Sequence, residues 1–284
     1  MNAHRDEFPV ELMARVLEVS RTGFYTWLKR QPGPRQEERS RFDAEVLAEF
    51  EKAKKCYGSI RITEALHKRG RSCNRKRVTR SLKRQGLRAC PPRKYVATTD
   101  SKHSFPIAPN LLERNFSADY PDQKYVSDIT YLPCLQGWLY LVVFIDLFSR
   151  RVVGWYVSHS LKHDTVLAAF YRAVGIRGSL RGLILHSDRG VQYCCGGFTD
   201  VMKLNGVIQS MSRKGDCWDN AVAESFFANL KREMLGNYVF LDLKDAQRRL
   251  FEFIEVFYNR QRLHSALGYV PPVEFEEFRW QKCA

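Results

Sequence analysis

The sequence predicts an α/β layer fold built on a mixed sheet and preceded by small all-helical units. Three observations carry this reading. KYVSDITYLP and RVVGWYVS alternate apolar and polar residues on either side of the longer apolar run WLYLVVFIDLFSR, with short turns between them, which describes an antiparallel meander. Two further strand-like segments, LILHSD and VIQSMS, are interleaved with helical stretches, giving five strands in all. Ahead of residue 90 the apolar residues recur at helical spacing.

Residues 1–33 hold the first helical segment. In FPVELMARVLEVSRTGFYTWLKR, Leu12, Val16 and Leu17 mark the apolar face of one short helix, Ser20 and Gly23 interrupt the pattern, and Tyr25 and Leu28 begin a second. QPGPRQEERS reads as a linker. Residues 34–90 form a clearer unit, with a helix from about Phe42 to Lys54 and a second that Ser59 can cap and Gly70 ends. Its third helix has Asn74 as cap and Gly86 just past its end. In that helix Val78 and Leu82 face inward, while Lys76, Arg80 and Lys83 fall at i, i+4, i+7 on the outward side beside Arg75, Arg77 and Arg84. A short helix after a tight turn, with one basic face, is what a helix-turn-helix unit presents to DNA.

Charge supports that partner. Of the net +15, residues 1–100 carry 24 Lys/Arg against 12 Asp/Glu, a net +12, and residues 101–284 carry 22 against 19, a net +3. A basic arm joined to a nearly neutral globular part fits a polyanion such as nucleic acid. Residues 91–120, with several prolines and little periodicity, read as a linker to a core over 121–284.

Other classes are disfavoured. MNAHRDEFPV has no apolar region of a secretory signal, and LYLVVFI falls well short of the ~20 residues needed to cross a bilayer. Cys56, Cys73, Cys90, Cys134, Cys194, Cys195, Cys217 and Cys283 form no CxxC pair, and His159 and His163 have no thiol pair at zinc-site distance. Reduced thiols in a cytoplasmic protein are expected.

Three acids stand in apolar surroundings. Asp128 lies within the first strand, Asp188 ends the fourth, and Glu224 sits in the helix WDNAVAESFFANLKREML among Ala223, Phe226, Phe227 and Leu230. Burying a carboxylate costs several kcal/mol unless something compensates it. A strand, its neighbour and a facing helix can bring three carboxylates to one point, as hard divalent cations require. Asp146 is a rival. With a turn centred near Leu135, Asp128 would pair near Val142 and Asp146 would lie opposite Lys124, about 13 Å down the sheet at roughly 3.3 Å per residue. Asp146 therefore reads as structural, paired with Arg150 or Arg151 or capping the turn.

Thirty-five residues separate Asp188 from Glu224, and Lys231 lies seven beyond the glutamate. Together with SDITY, HSDRGVQY, DNAVAESFFANLK, RLHSALGYVPPVEF and the segment YGSIRITEALHKRG, this spacing closely resembles the OrfB transposases of the bacterial insertion-sequence family called insertion sequence three, in the retroviral-integrase-like DDE superfamily. The resemblance implies an RNase H-like integrase catalytic core, a five-stranded mixed sheet flanked by helices. It also implies that Asp128, Asp188 and Glu224 bind two Mg²⁺ or Mn²⁺ ions, about 3.5–4 Å apart, with Asp128 bridging. Expected chemistry is nicking of DNA at the terminal inverted repeats, then joining of the freed 3′-OH to a phosphodiester. A regulator of transposition with a silent core and an RNase H-like nuclease that does not join strands are the alternatives.

Lys231, on the same helix side as Glu224, would hold a phosphate near the metals, and Arg213, Lys214 and Gly215 would touch target DNA from a loop. Arg189 would hold a phosphate or pair with an acid, and Trp218 and Asn220 would shape the helix start. Expected partners are double-stranded DNA at the nucleoid and further copies of the chain on paired ends. The resemblance also suggests the product of the family's first reading frame as a partner, or a frameshifted fusion to it.

Overall fold

In the computed structural model, residues 1–31, 33–89, 105–213, 217–236 and 238–280 are described. The sheet contains β1 (Lys124–Cys134), β2 (Gly137–Asp146), β3 (Val152–Ser158), β4 (Ile184–Ser187) and β5 (Ile208–Met211), in the order β3-β2-β1-β4-β5. β1, β2 and β3 form the expected meander, and β4 runs parallel to both β1 and β5. Alternation along the strands sorts the core into two layers. Val126, Leu132, Leu141, Val143 and Ile145 face one side, where Phe226, Phe227, Leu230 and Ile254 cover them. Tyr125, Val142, Phe144 and Val153 face the other, against Val166, Phe170, Phe198 and Met202.

Among the described residues the α-helices are α1 (Val10–Val16), α2 (Arg21–Leu28), α3 (Pro34–Lys52), α4 (Ser59–Lys68), α5 (Arg75–Arg84), α6 (His163–Arg177), α7 (Val191–Cys194), α8 (Gly196–Leu204), α9 (Ala221–Leu230), α10 (Leu243–Phe251) and α11 (Pro272–Trp280). α9 widens into a π-type turn over Lys231–Leu235, and α10 into another over Glu252–Tyr258. α6 lies so close to β3 that a Cβ on Gly154 would sit 2.4 Å from the Ala169 carbonyl oxygen. Among the described residues, no helix is long and apolar enough to cross a membrane. No disulfide joins Cys56, Cys73, Cys134, Cys194 or Cys195 among the described residues; Cys90, Cys283 and the Cys217 side chain lie outside them.

Several local expectations are corrected. α3 starts at Pro34 and so takes in most of the predicted linker, because proline at the first helical position needs no N–H partner and its fixed φ suits the helix. Charge pairs hold this apolar-poor stretch: Glu38 accepts from Arg71 and Arg77, both at 2.7 Å. α2 begins at Arg21, capped by the Ser20 hydroxyl, so Gly23 lies inside it. Leu12, Val16 and Leu17 are exposed, and the pair of short helices buries Ala14 and Phe24 instead. The β1–β2 turn is the two residues Leu135 and Gln136, so Asp128 pairs with Val143 and Asp146 with Tyr125, one step from the predicted register.

Asp146 is structural as expected, but its cationic partner is Arg177 at 3.5 Å, reached from α6. Its carboxylate also accepts from the backbone N–H of Phe148 and Asp122. Glu276 receives the same guanidinium, which ties α11 to this end of the sheet.

Candidate active site

The strand pairing that sets Val126 beside His186 runs at a constant register from Lys124 and Ile184. Carried two residues further, it sets Asp188, the first residue after β4, abreast of Asp128. Strand neighbours lie about 4.8 Å apart. Both acids share the parity of Val126, so they point to the face that α9 covers. β1 continues past this point paired to β2, while β4 stops at Ser187, and the sheet opens beside the two carboxylates.

Local hydrogen bonds fix each acid. The Ile129 amide donates to Asp128 Oδ1 at 2.8 Å, and the Gly190 amide to Asp188 Oδ1 at 3.0 Å. Gly190 is small for a reason: a Cβ there would sit 3.0 Å from that same Asp188 oxygen. Arg189 donates through Nε to the Ser212 carbonyl at 2.7 Å, binding the turn after β4 to the end of β5. Buried His186 lies between the Ser210 and Ser212 hydroxyls, and burial pulls its pKa down to about 4, so the ring is neutral at pH 7.

Glu224 enters from the first turn of α9. The Asn220 side chain anchors that end of the helix to β1 by donating to the Ser127 carbonyl at 3.4 Å. Asp219, fully buried, accepts from the Arg213 amide and guanidinium, from Arg114 and from Asn110. These arginines hold its carboxyl far below the usual range despite burial. Residues 105–120 thus pack on the core: Asn110 and Arg114 reach Asp219, and Leu112 is buried.

Electrostatics bind four residues into one site. Burial, then the Asp188 charge and the Glu224 charge, push the Asp128 carboxyl well up, while Lys231 opposes them. Burial raises Glu224 and lowers Lys231, the latter offset by Asp128. Three carboxyl groups meet here beside Lys231, an oxygen donor set that suits a hard cation. Among the described residues, no three His, Cys, Asp or Glu side chains group closely enough to hold one ion between them. Mg²⁺ fits such a donor set, because it commonly binds one or two carboxylates and completes its shell with water and substrate phosphate.

In the helix-turn-helix-like unit, α5 buries Val78 and Ser81 and exposes Lys76, Arg80 and Lys83, which make no ion pair among the described residues. Arg77 and Arg84 are tied inward instead. Arg77 bonds Glu38 and stacks on Phe42 at 4.0 Å, and Arg84 grips both oxygens of Asp43. Arg75 donates to the Ser59 hydroxyl at 3.3 Å. Lys214, Gly215 and the Trp218 side chain lie outside the described residues. Sequence reasoning missed Asp219 and Glu233; the signal for Asp219 is the WDN step just before an apolar helix.

Comparison with known proteins agrees with this layout. Residues 118–217 and 205–272 match two families each described as Integrase core domain, and residues 37–95 match an HTH-like domain. Transposase InsF for insertion sequence IS3A of Escherichia coli is 42% identical over 275 residues, covering 96% of both chains. The chain belongs to the IS3 transposase family. A 31 kDa protein of insertion element IS600 from Shigella sonnei is 38% identical over 272 residues, covering 96% of this chain and 100% of the relative. A simian T-cell lymphotropic virus intasome chain, solved with PP2A regulatory subunit B56 gamma, superposes with a TM-score of 0.48 at 14% identity, over 78% of this chain and 70% of that one. This IS3 family member is a transposase with an RNase H-like integrase core and a helix-turn-helix-like domain ahead of it.

Proposed function

We propose that Asp128, Asp188 and Glu224 are the catalytic carboxylates and that together they hold two Mg²⁺ or Mn²⁺ ions. The observation that carries this is the convergence on Asp128 in β1 of Asp188 from the end of β4, Glu224 from α9 and Lys231. Divalent ions bound there would supply an activated water or 3′-OH and neutralise charge on the scissile phosphate and leaving oxygen. Asp128 is the fixed element, because its strand is paired on through Cys134 to β2. Lys231 holds a DNA phosphate beside the acids, as a flexible ammonium does. Its partial burial favours that pairing, since a bound phosphate offsets its desolvation.

Lys76, Arg80 and Lys83, with Arg75 beside them, contact the terminal inverted repeats from α5, which fits their exposure on one face. Arg213, oriented by Asp219, contacts target DNA, and Lys214 is assigned the same role from the sequence alone. The domains in this reading run 1–33, 34–90 and 121–284, with 91–120 between them and its residues 105–120 lying against the core. Two or more copies hold a pair of ends, since joining needs both.

Purified protein, Mg²⁺ and DNA bearing both terminal repeats test this reading. Nicked and joined-end products that vanish in Asp188→Asn and Glu224→Gln are expected. Products that persist in both variants overturn it.

A further inference from the structure

The helix carrying Glu224 does not end freely. Nine residues on, at a rise of about 1.5 Å per residue, Glu233 sits fully buried in the wide turn that begins at Lys231. Arg262 meets it with two bonds of 2.7 and 2.8 Å, Arg232 adds one at 3.0 Å, and Arg61 Nη1 lies 3.6 Å away. Burial would raise its pKa, but these guanidiniums pull it below the usual range, so it stays charged.

Arg61 belongs to α4 of the helix-turn-helix-like unit, and it is not alone there. Its Nε donates to the Leu263 carbonyl at 3.1 Å, and the Tyr57 hydroxyl accepts from the Leu263 amide at 2.7 Å. The Cys56 thiol reaches the Glu233 carbonyl oxygen at 3.4 Å. The motif RLHSALGY therefore folds as the seat of the DNA-reading unit, and Glu233 lies beneath it. α9 is pinned at its start by Asn220 on β1 and at its far end by this seat.

We infer that Glu233 is a positioning residue through which the docked helix-turn-helix-like unit, by way of Arg61, fixes the helix that presents Glu224 and Lys231 to Asp128. A π-type turn is a local adjustment of helix winding that recurs at functional sites. Arg61 and Cys56 on one side and Arg262 on the other hold that adjustment in one setting. This rests on the assignment of the three acids above.

Arg61→Met tests it in the full chain, since the methionine keeps an apolar stem against Tyr57 while Arg262 and Arg232 still neutralise Glu233. Hydrogen exchange without DNA is expected to show loss of protection confined to residues 224–235, with α6 unchanged. With Mg²⁺ and a terminal-repeat duplex, the single-turnover cleavage rate at saturating protein should fall about tenfold to a hundredfold, as for groups that orient metal ligands. The Kd for the duplex should stay within about twofold, and Arg61→Lys, which restores the cation, should recover most of the rate. Unchanged exchange over 224–235, or a rate that falls only as far as the Kd rises, overturns the inference. Lost protection in a chain whose wild type cuts no terminal repeat upholds the coupling and overturns the proposed function instead.

Discussion

Asp188 stands abreast of Asp128 where β4 stops, and after burial its charge is the largest influence pushing the Asp128 carboxyl up. An active site that stores like charges this way is less stable than its neutral variant when no cation is present.

Asp188→Asn should therefore raise the thermal midpoint of the metal-free protein at pH 7, by about 1 kcal/mol or roughly 2–4 °C. Mg²⁺ or Mn²⁺ should raise the wild-type midpoint further and leave the variant's unmoved. Thermal scans with and without each ion decide it; an equal ion response in both proteins counts against the metal assignment.

On α5 the basic side chains should divide into two groups. Lys76→Ala, Arg80→Ala and Lys83→Ala should each weaken duplex binding and reduce the salt slope by about 1, with the fold intact. Arg77→Ala and Arg84→Ala should instead lower thermal stability, because those guanidiniums hold Glu38 and Asp43 of α3. Binding titrations across a salt series, beside melting curves, separate the groups.

The Asp146 carboxyl, buried beside Arg177, is pushed up to about 7. A group whose folded pKa lies above its unfolded value of about 3.9 contributes stability that is full below that value and lost as pH rises through 7. Asp146→Asn should compare worst with wild type near pH 5 and gain on it by pH 8. Urea midpoints at the two pH values check this, and a gap that widens with pH would contradict it.

Gly154→Ala should destabilise the core by about 1–3 kcal/mol or more, since its Cβ would meet the Ala169 carbonyl oxygen at 2.4 Å and the Ala173 Cβ at 2.9 Å. A urea midpoint equal to wild type would mean that α6 can lift from β3.

Much of this was legible in the sequence because it depends on local pattern. Alternation located β1 and β3, a long apolar run located β2, strand-like segments between helices located β4 and β5, and Asn74 and Gly86 bracketed α5. The errors share a cause. Arg177, Arg262 and Arg114 each find their acid across long sequence separations, and no periodicity reveals which. The short first helices misled differently: apolar residues at helical spacing normally face a core, yet Val16 is 72% exposed.

The order of the chain has one more consequence, for synthesis. The hairpin that holds Asp128 can form early, but Asp188 reaches it only when β4 inserts beside β1, and Glu224 only when α9 closes over both. Domains fold largely as they emerge from the ribosome. On the assignment proposed above, a nascent chain that ends before α9 lacks Glu224, and the three acids meet only in the finished core.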